Sequence, residues 1–213
     1  MAPDDEAVVG IDVGGEKKGF HAVALRNGVF QKAASTNPAE IVTWCLEQGA
    51  KIVAVDAPCR WSGSGLSRLA ERDLELAGKK IRCFATPTRA HALDHKKGFY
   101  DWVFSGETLY EQLAPRYPLF DGSRREGLVC FETFPHAIVC ALAGKVVAAR
   151  PKGSNRRDVL KRSYDVKSLT NLDYVDAALC AMTAEKFRQG CTIQFGAEEE
   201  GFIVVPSLNV SCH

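Results

Sequence analysis

Three apolar runs in this sequence end directly on an acidic residue, and no other feature constrains the fold as strongly. In KIVAVDAPC, an unbroken apolar stretch reaches Asp56 and is closed by Pro58. Such a run is typical of a strand that is buried on both faces of a sheet, and the proline prevents further pairing. The pattern occurs in residues 7–15, 51–59 and 128–135, where the acids are Asp12, Asp56 and Glu132.

The position of these acids favours a shared site. In open α/β sheets, ligands bind beyond the carboxyl ends of the strands. Acids at three such ends therefore converge if their strands are neighbours. Taken singly, each acid is explained equally well as a cap of the following turn or helix. A buried charge is costly unless it is paired or bound to a metal, so the repetition favours convergence.

The remaining pattern predicts an alternating α/β chain that forms one domain over residues 1–213. Strands at 20–26 and 28–34 are joined by the Asn27-Gly28 pair, which favours a tight hairpin turn. The other predicted elements are a helix from 37 to about 48, a helix over 66–78, an irregular insertion with short helices over 83–126, a helix from Pro135, a long helix over about 170–188 and a last short strand in EEEGFIVVP. An antiparallel hairpin followed by a parallel strand beyond a helix indicates a mixed sheet.

Composition is that of an ordinary globular chain of 213 residues, 46% apolar and 25% charged. No apolar run reaches transmembrane length, and the start MAPDDEAVV lacks the basic region of a signal peptide. We therefore expect a cytoplasmic protein that does not bind membranes. The net charge of +1 means that any polyanion site must be a local patch.

The eight cysteines form no CxxC pair, which argues against a structural zinc site. Several lie in apolar segments such as IVCAL and ALCAM, where free cysteine packs as a small hydrophobe. We expect reduced thiols in the core.

A fourth acid lies in the long C-terminal helix. Spacing residues 100° apart puts Asp176 between Leu172 and Leu179, in the stripe that faces the core, and Asp173 at the border of that stripe. An unpaired buried carboxylate is strongly destabilising. Asp176 is therefore either paired with a buried arginine or turned, as a ligand, towards the sheet edge where the strand-end acids gather.

Carboxylates without a companion histidine cluster suit a hard cation with oxygen ligands, Mg²⁺ or Mn²⁺. Two such ions roughly 3.5–4 Å apart activate a water and stabilise the leaving oxygen in phosphodiester cleavage. The predicted metal ligands and catalytic residues are Asp12, Asp56, Glu132 and Asp176.

Six motifs in order along the chain carry a family resemblance. They are GIDVGG, IVAVDAP, SRLAERDLE, CFETFPH, DYVDAALCAMTA and EGFIVVP. Over residues 7–206 they resemble the family catalogued as domain of unknown function 429, whose members are described as predicted nucleases with an RNase H-like fold. The resemblance implies an α/β fold with a mixed central sheet, antiparallel in its first three strands and parallel after them. It implies the same four carboxylates as the site, and nucleic acid as the partner.

Further side chains are candidates for supporting roles outside the ligand set. Asp73 falls on the apolar side of the predicted helix next to Arg72, where an ion pair explains it as well as a substrate role does. His136 follows Glu132 closely and suits a proton shuttle, with capping or packing as the alternative. Asp173 belongs to the same supporting set.

The segment 145–162 carries seven cations against the single acid Asp158. Such a run suits phosphate contacts, which supply most non-specific affinity for nucleic acids. The predicted substrate-binding residues are Arg72, Lys152, Arg156 and Arg157. A solvated helix face explains the run equally well, and no aromatic residues are interleaved in it as in a single-strand stacking platform.

Two other functions stay open on the sequence alone. GIDVGG is also similar to the first strand and Gly-rich turn of sugar kinases and actin-like ATPases, whose backbone amides hold phosphate. Those proteins normally need two such domains, for which 213 residues leave little room. The other candidate is a non-catalytic nucleic-acid-binding protein with an RNase H-like fold.

Overall fold

A seven-stranded mixed sheet forms the centre of the molecule in a computed structural model that describes residues 6–65, 67–96, 98–123 and 127–207. In chain order the strands are β1 (Val8–Val13), β2 (Phe20–Arg26), β3 (Val29–Ser35), β4 (Ile52–Asp56), β5 (Glu75–Leu76), β6 (Lys79–Lys80), β7 (Val129–Glu132), β8 (Thr192–Ala197) and β9 (Gly201–Pro206). The sheet order is β3-β2-β1-β4-β7-β9-β8, and β5 and β6 form a separate hairpin. The first three strands are antiparallel, β4, β7 and β9 run parallel to β1, and β8 pairs antiparallel with β9. The predicted α/β fold with a mixed central sheet, antiparallel in its first three strands and parallel after them, is therefore confirmed.

Helices cover both faces of this sheet. They are α1 (Pro38–Glu47), α2 (Leu69–Asp73), α3 (Arg89–Asp94), α4 (Asp101–Leu113), α5 (Pro135–Ala143), α6 (Lys152–Leu160) and α7 (Leu172–Arg188). Because side chains alternate along a strand, Val8 packs into a core with α5, α6 and α7, whereas Val9 packs into a second core with α1 and α4. α3 and α4 form the predicted helical insertion, of which residues 97 and 124–126 lie outside the described part. None of these helices combines the length and apolar character that crossing a membrane requires.

Two layers approach each other very closely where α7 crosses β1 at Gly10. A Cβ atom added there would lie 2.0 Å from the carbonyl oxygen of Ala177 and 2.2 Å from the backbone nitrogen of Ala181. No side chain fits in that space, so the helix backbone rests directly on the strand. This contact fixes the position of α7 along β1.

The helix predicted over 66–78 is much shorter in the structure, where α2 ends at Asp73. Ala77 and Gly78 have positive φ angles of 49° and 74°, as the two central residues of a type I′ hairpin turn require. This turn joins β5 to β6 and replaces the second half of the expected helix. Leu66, its expected first residue, lies outside the described residues.

Two elements carry too little sequence signal to be predicted. β8 lies at the sheet edge with mostly exposed or half-buried side chains, so it lacks the apolar run of a buried strand. α6 lies inside the basic segment, and its buried residues are Arg156, Val159 and Leu160. A helix that buries an arginine among so few apolar residues shows little apolar periodicity.

The expectation of reduced thiols holds for six cysteines, namely Cys45, Cys59, Cys83, Cys130, Cys140 and Cys180. Burial raises the pKa of Cys45 and Cys130 to about 12, so these thiols stay protonated and pack as apolar groups. Cys191 departs from the expectation because it is disulfide-bonded.

We expect Gly10→Ala to destabilise the protein by at least about 3 kcal/mol, the upper range for overpacking, because the new methyl group meets backbone on α7 that cannot rotate away. For a chain of this size, such a loss lowers the melting temperature by roughly 6–12 °C. Thermal unfolding followed by circular dichroism measures it. Gly153→Ala is the matched control, since nothing lies within 4 Å of a Cβ added there. Equal melting temperatures for the two variants would contradict the close approach.

Candidate metal centre

Three acidic side chains from three separate elements meet at the carboxyl ends of β1 and β4. Asp12 and Asp56 are register partners on these adjacent parallel strands. Asp176 lies on α7, one residue before the Ala177 carbonyl that rests on Gly10. One carboxylate oxygen from each acid lies within 4.8 Å of the corresponding oxygens of the other two. The structure thus brings together three of the four acids that the sequence nominates.

The two carboxylate oxygens of Asp176 have different surroundings. Arg156 of α6 donates a hydrogen bond to Oδ2, so the ion pair considered as an alternative from the sequence is present. Oδ1 is buried and has no hydrogen-bond partner. Buried polar atoms in folded proteins almost always have a partner. Asp176 therefore carries one satisfied oxygen and one that lacks a ligand.

Asp12 and Asp56 also differ in their neighbours. Lys18 Nζ lies 3.4 Å from Asp12 Oδ2 and provides a counter-charge. Among the described residues, the structure shows no hydrogen-bond donor to the carboxylate of Asp56. Asp56 is therefore the acid of this group whose charge is compensated least.

Burial raises the pKa of all three carboxyl groups, and repulsion from a neighbouring acid adds to the effect in each case. Burial raises the pKa of Asp176 to about 7, against the opposing effect of Arg156 and with the help of Asp12. The pKa of Asp56 is held well above its ordinary range by burial first and by Asp12 and Asp176 next. Burial raises the pKa of Asp12 despite the attraction of Lys18. The group therefore retains protons near neutral pH unless a cation stabilises its ionised form.

A second group of possible ligands shares Asp12. Asp12, His21 and Asp173 also present ligand atoms within 4.8 Å of one another, and His21 is the register partner of Asp12 across the β1–β2 hairpin. Lys18 Nζ lies 2.7 Å from Asp173 Oδ1, so one ammonium contacts both acids. His21 Nδ1 is buried without a hydrogen-bond partner, and the ring lies edge-on to Tyr174. Asp173 was predicted from the sequence in a supporting role, whereas Lys18 and His21 were not predicted, although the antiparallel order implied for the first three strands brings His21 close to Asp12.

Glu132, the fourth nominated acid, is not part of either group. It lies beside Val55 in the β4–β7 register, one residue short of Asp56. Since side chains alternate between faces, Glu132 and Asp56 start from opposite faces of the sheet. Glu132 instead accepts hydrogen bonds of 2.7 Å and 2.6 Å from the two terminal nitrogens of Arg68 and one of 2.8 Å from the Cys59 amide.

The Arg68–Glu132 pair belongs to a buried ionic chain that sequence reasoning misses. Arg68 is fully buried, and its Nε donates a 2.9 Å hydrogen bond to Glu71. Arg72 and Asp73, nominated from the same segment, are exposed instead. Because α2 starts only at Leu69, the inward-facing charges are those of Arg68 and Glu71.

The candidates of the basic segment separate into buried and accessible residues. Arg156 is buried against Asp176, whereas Lys152 is exposed and Arg157 half-buried. His136 lies outside both carboxylate groups, with Nε2 3.8 Å from Cys140 Sγ. Burial lowers the pKa of His136, and the charges of Arg156 and Lys152 lower it further.

A family model described as protein of unknown function (DUF429) matches residues 10–201. The chain belongs to the DUF429 family. This confirms the resemblance carried by the six motifs. A solved structure described as "Thermus thermophilus RuvC structure" is similar at a TM-score of 0.42 and 14% identity, over 86% of this chain and 96% of that chain. No curated protein matches the chain.

For this DUF429 protein, we expect Asp56→Asn to raise stability in chelator at pH 8 by about 1 kcal/mol, or roughly 2–4 °C in melting temperature. The substitution removes an uncompensated charge and breaks no hydrogen bond. Because the folded-state pKa of Asp56 lies above the ordinary value of 3.8, the wild type loses stability as pH rises from 3.8 towards that raised pKa. The difference between variant and wild type should therefore vanish at about pH 3, where the carboxyl group is protonated in both the folded and the unfolded state.

Thermal unfolding across that pH range measures the effect, with Asp94→Asn, an exposed acid on α3, as the control. A gain for Asp56→Asn that is the same at both pH values would exclude the repulsion described above.

Proposed function

We propose that this DUF429 protein hydrolyses phosphodiester bonds of nucleic acids with Mg²⁺ or Mn²⁺ held by Asp12, Asp56 and Asp176. The observation that carries the proposal is the meeting of three carboxylates, one of which has a buried oxygen without a partner. Oxygen ligands of this kind select hard cations. The description of the family's members as predicted nucleases supports the same reaction.

The residues present fit such an ion. A cation would give Asp176 Oδ1 the partner that it lacks and would compensate the charge of Asp56. When bound, it would activate a water and stabilise the leaving oxygen. Arg156 positions Asp176 by occupying Oδ2, which leaves Oδ1 for the ion. We therefore assign Arg156 to positioning and leave Lys152 and Arg157 as the phosphate contacts proposed in the basic segment.

The second group supports the same chemistry from the side of β2. Asp173 and His21 share Asp12 with the first group, and Lys18 neutralises part of their charge. We assign proton transfer to His21 rather than to His136, because His21 lies opposite Asp12 in the sheet. Glu132 is assigned a structural role with Arg68.

The kinase-like alternative gains no support from the Gly-rich turn. The Gly14 amide donates a 2.8 Å hydrogen bond to the Gly19 carbonyl, so it is not free to bind phosphate. The side chain of Lys18 also covers Gly14, since a Cβ added there would lie 2.6 Å from Lys18 Cδ.

Calorimetric titration with Mn²⁺ tests the metal centre. We expect binding by the wild type and a loss of at least about tenfold, or ~1.4 kcal/mol, in Asp12→Asn, Asp56→Asn and Asp176→Asn. Because the pKa of Asp176 is about 7 and a ligand must be deprotonated, binding should weaken from roughly pH 8 to pH 6. Asp94→Asn is the control. Equal affinity in all four variants would make the carboxylate group structural.

Cleavage of labelled DNA, RNA, hybrid and branched substrates, each with Mn²⁺ and with chelator, tests the activity. Asp12→Asn should abolish cleavage while nucleic acid binding is retained, because the substitution removes a metal ligand and no phosphate contact. ATP hydrolysis in place of cleavage would favour the kinase-like alternative. Binding without either reaction would favour the non-catalytic one.

A further inference from the structure

A continuous series of aromatic rings runs through the insertion towards the metal centre. Phe84 lies 4.9 Å from Trp102 and 6.0 Å from Tyr100, Phe99 lies 4.7 Å from Tyr100, and His95 lies 4.9 Å from Phe99, between ring centroids. We call these five residues the aromatic wall. Its members come from α4 and from the loops beside α3 and α4.

The inner end of the aromatic wall reaches the candidate metal centre. Phe84 and Trp102 line a cavity of about 60 Å³ together with Asp56. The turn after Asp12 lies against the start of α4, since a Cβ added at Gly15 would lie 3.5 Å from Asp101 Cβ and 4.0 Å from the Trp102 amide. The inner end of the wall therefore shares a cavity with Asp56 and lies against the turn that follows Asp12.

The outer end of the aromatic wall is open to solvent. Phe99 is 55% exposed, and it is the one aromatic residue among the large apolar side chains that the described residues leave exposed. His95 beside it is exposed as well. An exposed phenyl ring adds little to folding stability, so its place in a series of rings that reaches the cavity at Asp56 favours a ligand with a flat apolar face.

A basic groove adjoins the wall at Phe84. The groove has a volume of about 400 Å³ and carries three exposed cations, Arg72, Lys80 and Arg82. The acid in its lining, Glu71, is compensated by Arg68. Cys83 and Phe84 line both this groove and the cavity at Asp56. Positive charge and aromatic surface therefore meet at one edge of the metal centre.

We propose that the basic groove and the aromatic wall bind an unpaired nucleic acid strand and lead it to the carboxylates. The groove contacts phosphates, and Phe99 stacks on a base. Base stacking on aromatic side chains beside a cationic groove is the general mode of single-strand binding. A duplex does not offer its base faces to a side chain, so this surface selects strands with unpaired bases. The substrate class rests on the proposed function, whereas the binding itself does not require metal.

Fluorescence anisotropy in chelator tests the binding, with a labelled oligothymidylate of about 20 nucleotides and a duplex of the same length as probes. The wild type should bind the single strand more tightly than the duplex. Phe99→Ala should weaken single-strand binding by about tenfold and leave duplex binding unchanged. Phe99→Trp should restore it. Leu93→Ala, another exposed apolar residue of the insertion, is the control.

The groove is tested by Arg82→Glu against Arg116→Glu, an exposed cation beyond the C-terminal end of α4 and outside the basic segment. Arg82→Glu should weaken binding and lower the slope of affinity against salt by roughly 0.7 for each phosphate that the variant no longer neutralises. Arg116→Glu should do neither. Phe99→Ala with wild-type affinity, or equal binding of duplex and single strand, would overturn the inference.

The metal-dependent nuclease and the single-strand surface can each be excluded while the other is retained. If Phe99→Ala changes neither the binding affinity nor the rate of metal-dependent cleavage, the single-strand surface is excluded and the nuclease is retained. Single-strand binding that depends on Phe99, without cleavage of any substrate, would retain the surface and exclude the nuclease.

Discussion

The contact between the backbones of α7 and β1 at Gly10 is the constraint on which the candidate site depends. Gly10 and Asp12 lie on the same face of β1, two residues apart, and Ala177 follows Asp176 directly on α7. The contact that brings the Ala177 carbonyl onto Gly10 therefore also sets the distance between Asp12 and Asp176. A side chain at Gly10 would push α7 away from β1 and lengthen the distance between Asp12 and Asp176. Gly10 is thus required for the close packing of α7 on β1, and this packing brings the Asp12 and Asp176 carboxylates together.

Gathering three carboxylates in a partly buried place opposes folding, and the fold compensates this only in part. Arg156 and Lys18 each compensate one acid, but Asp56 has no donor among the described residues. The raised pKa values of all three acids express the cost of burying their charges first and the repulsion from neighbouring acids second. The apolar cores on both faces of the sheet must hold the acids in place. A bound cation would therefore stabilise these three carboxylates more than any residue of the surrounding fold does.

The features that could be predicted from the sequence are those set by local patterns. The unbroken apolar runs of β1 and β4, each reaching an acid, and the 100° spacing on α7 place Asp12, Asp56 and Asp176 without any knowledge of distant contacts. The position of Glu132 could not be predicted in this way, because it depends on the register of β7 against β4, which no local pattern encodes. Lys18 and Arg68 meet their partners through a turn and a loop whose paths are set by tertiary packing. The hairpin after α2 was not predicted because an Ala-Gly pair is a weaker turn signal than an Asn-Gly pair.

Glu132 and Asp176 show how surroundings assign different roles to similar side chains. Both are buried acids that contact an arginine. Both oxygens of Glu132 accept hydrogen bonds from Arg68, so the carboxylate is saturated and holds β7 to the segment before α2. Arg156 bonds only one oxygen of Asp176 and leaves the other without a partner, close to two further acids. A saturated ion pair has no capacity left for a cation, whereas a half-satisfied carboxylate in an acidic group does. The number of donors on each carboxylate, rather than its burial, therefore separates the structural acid from the candidate ligand.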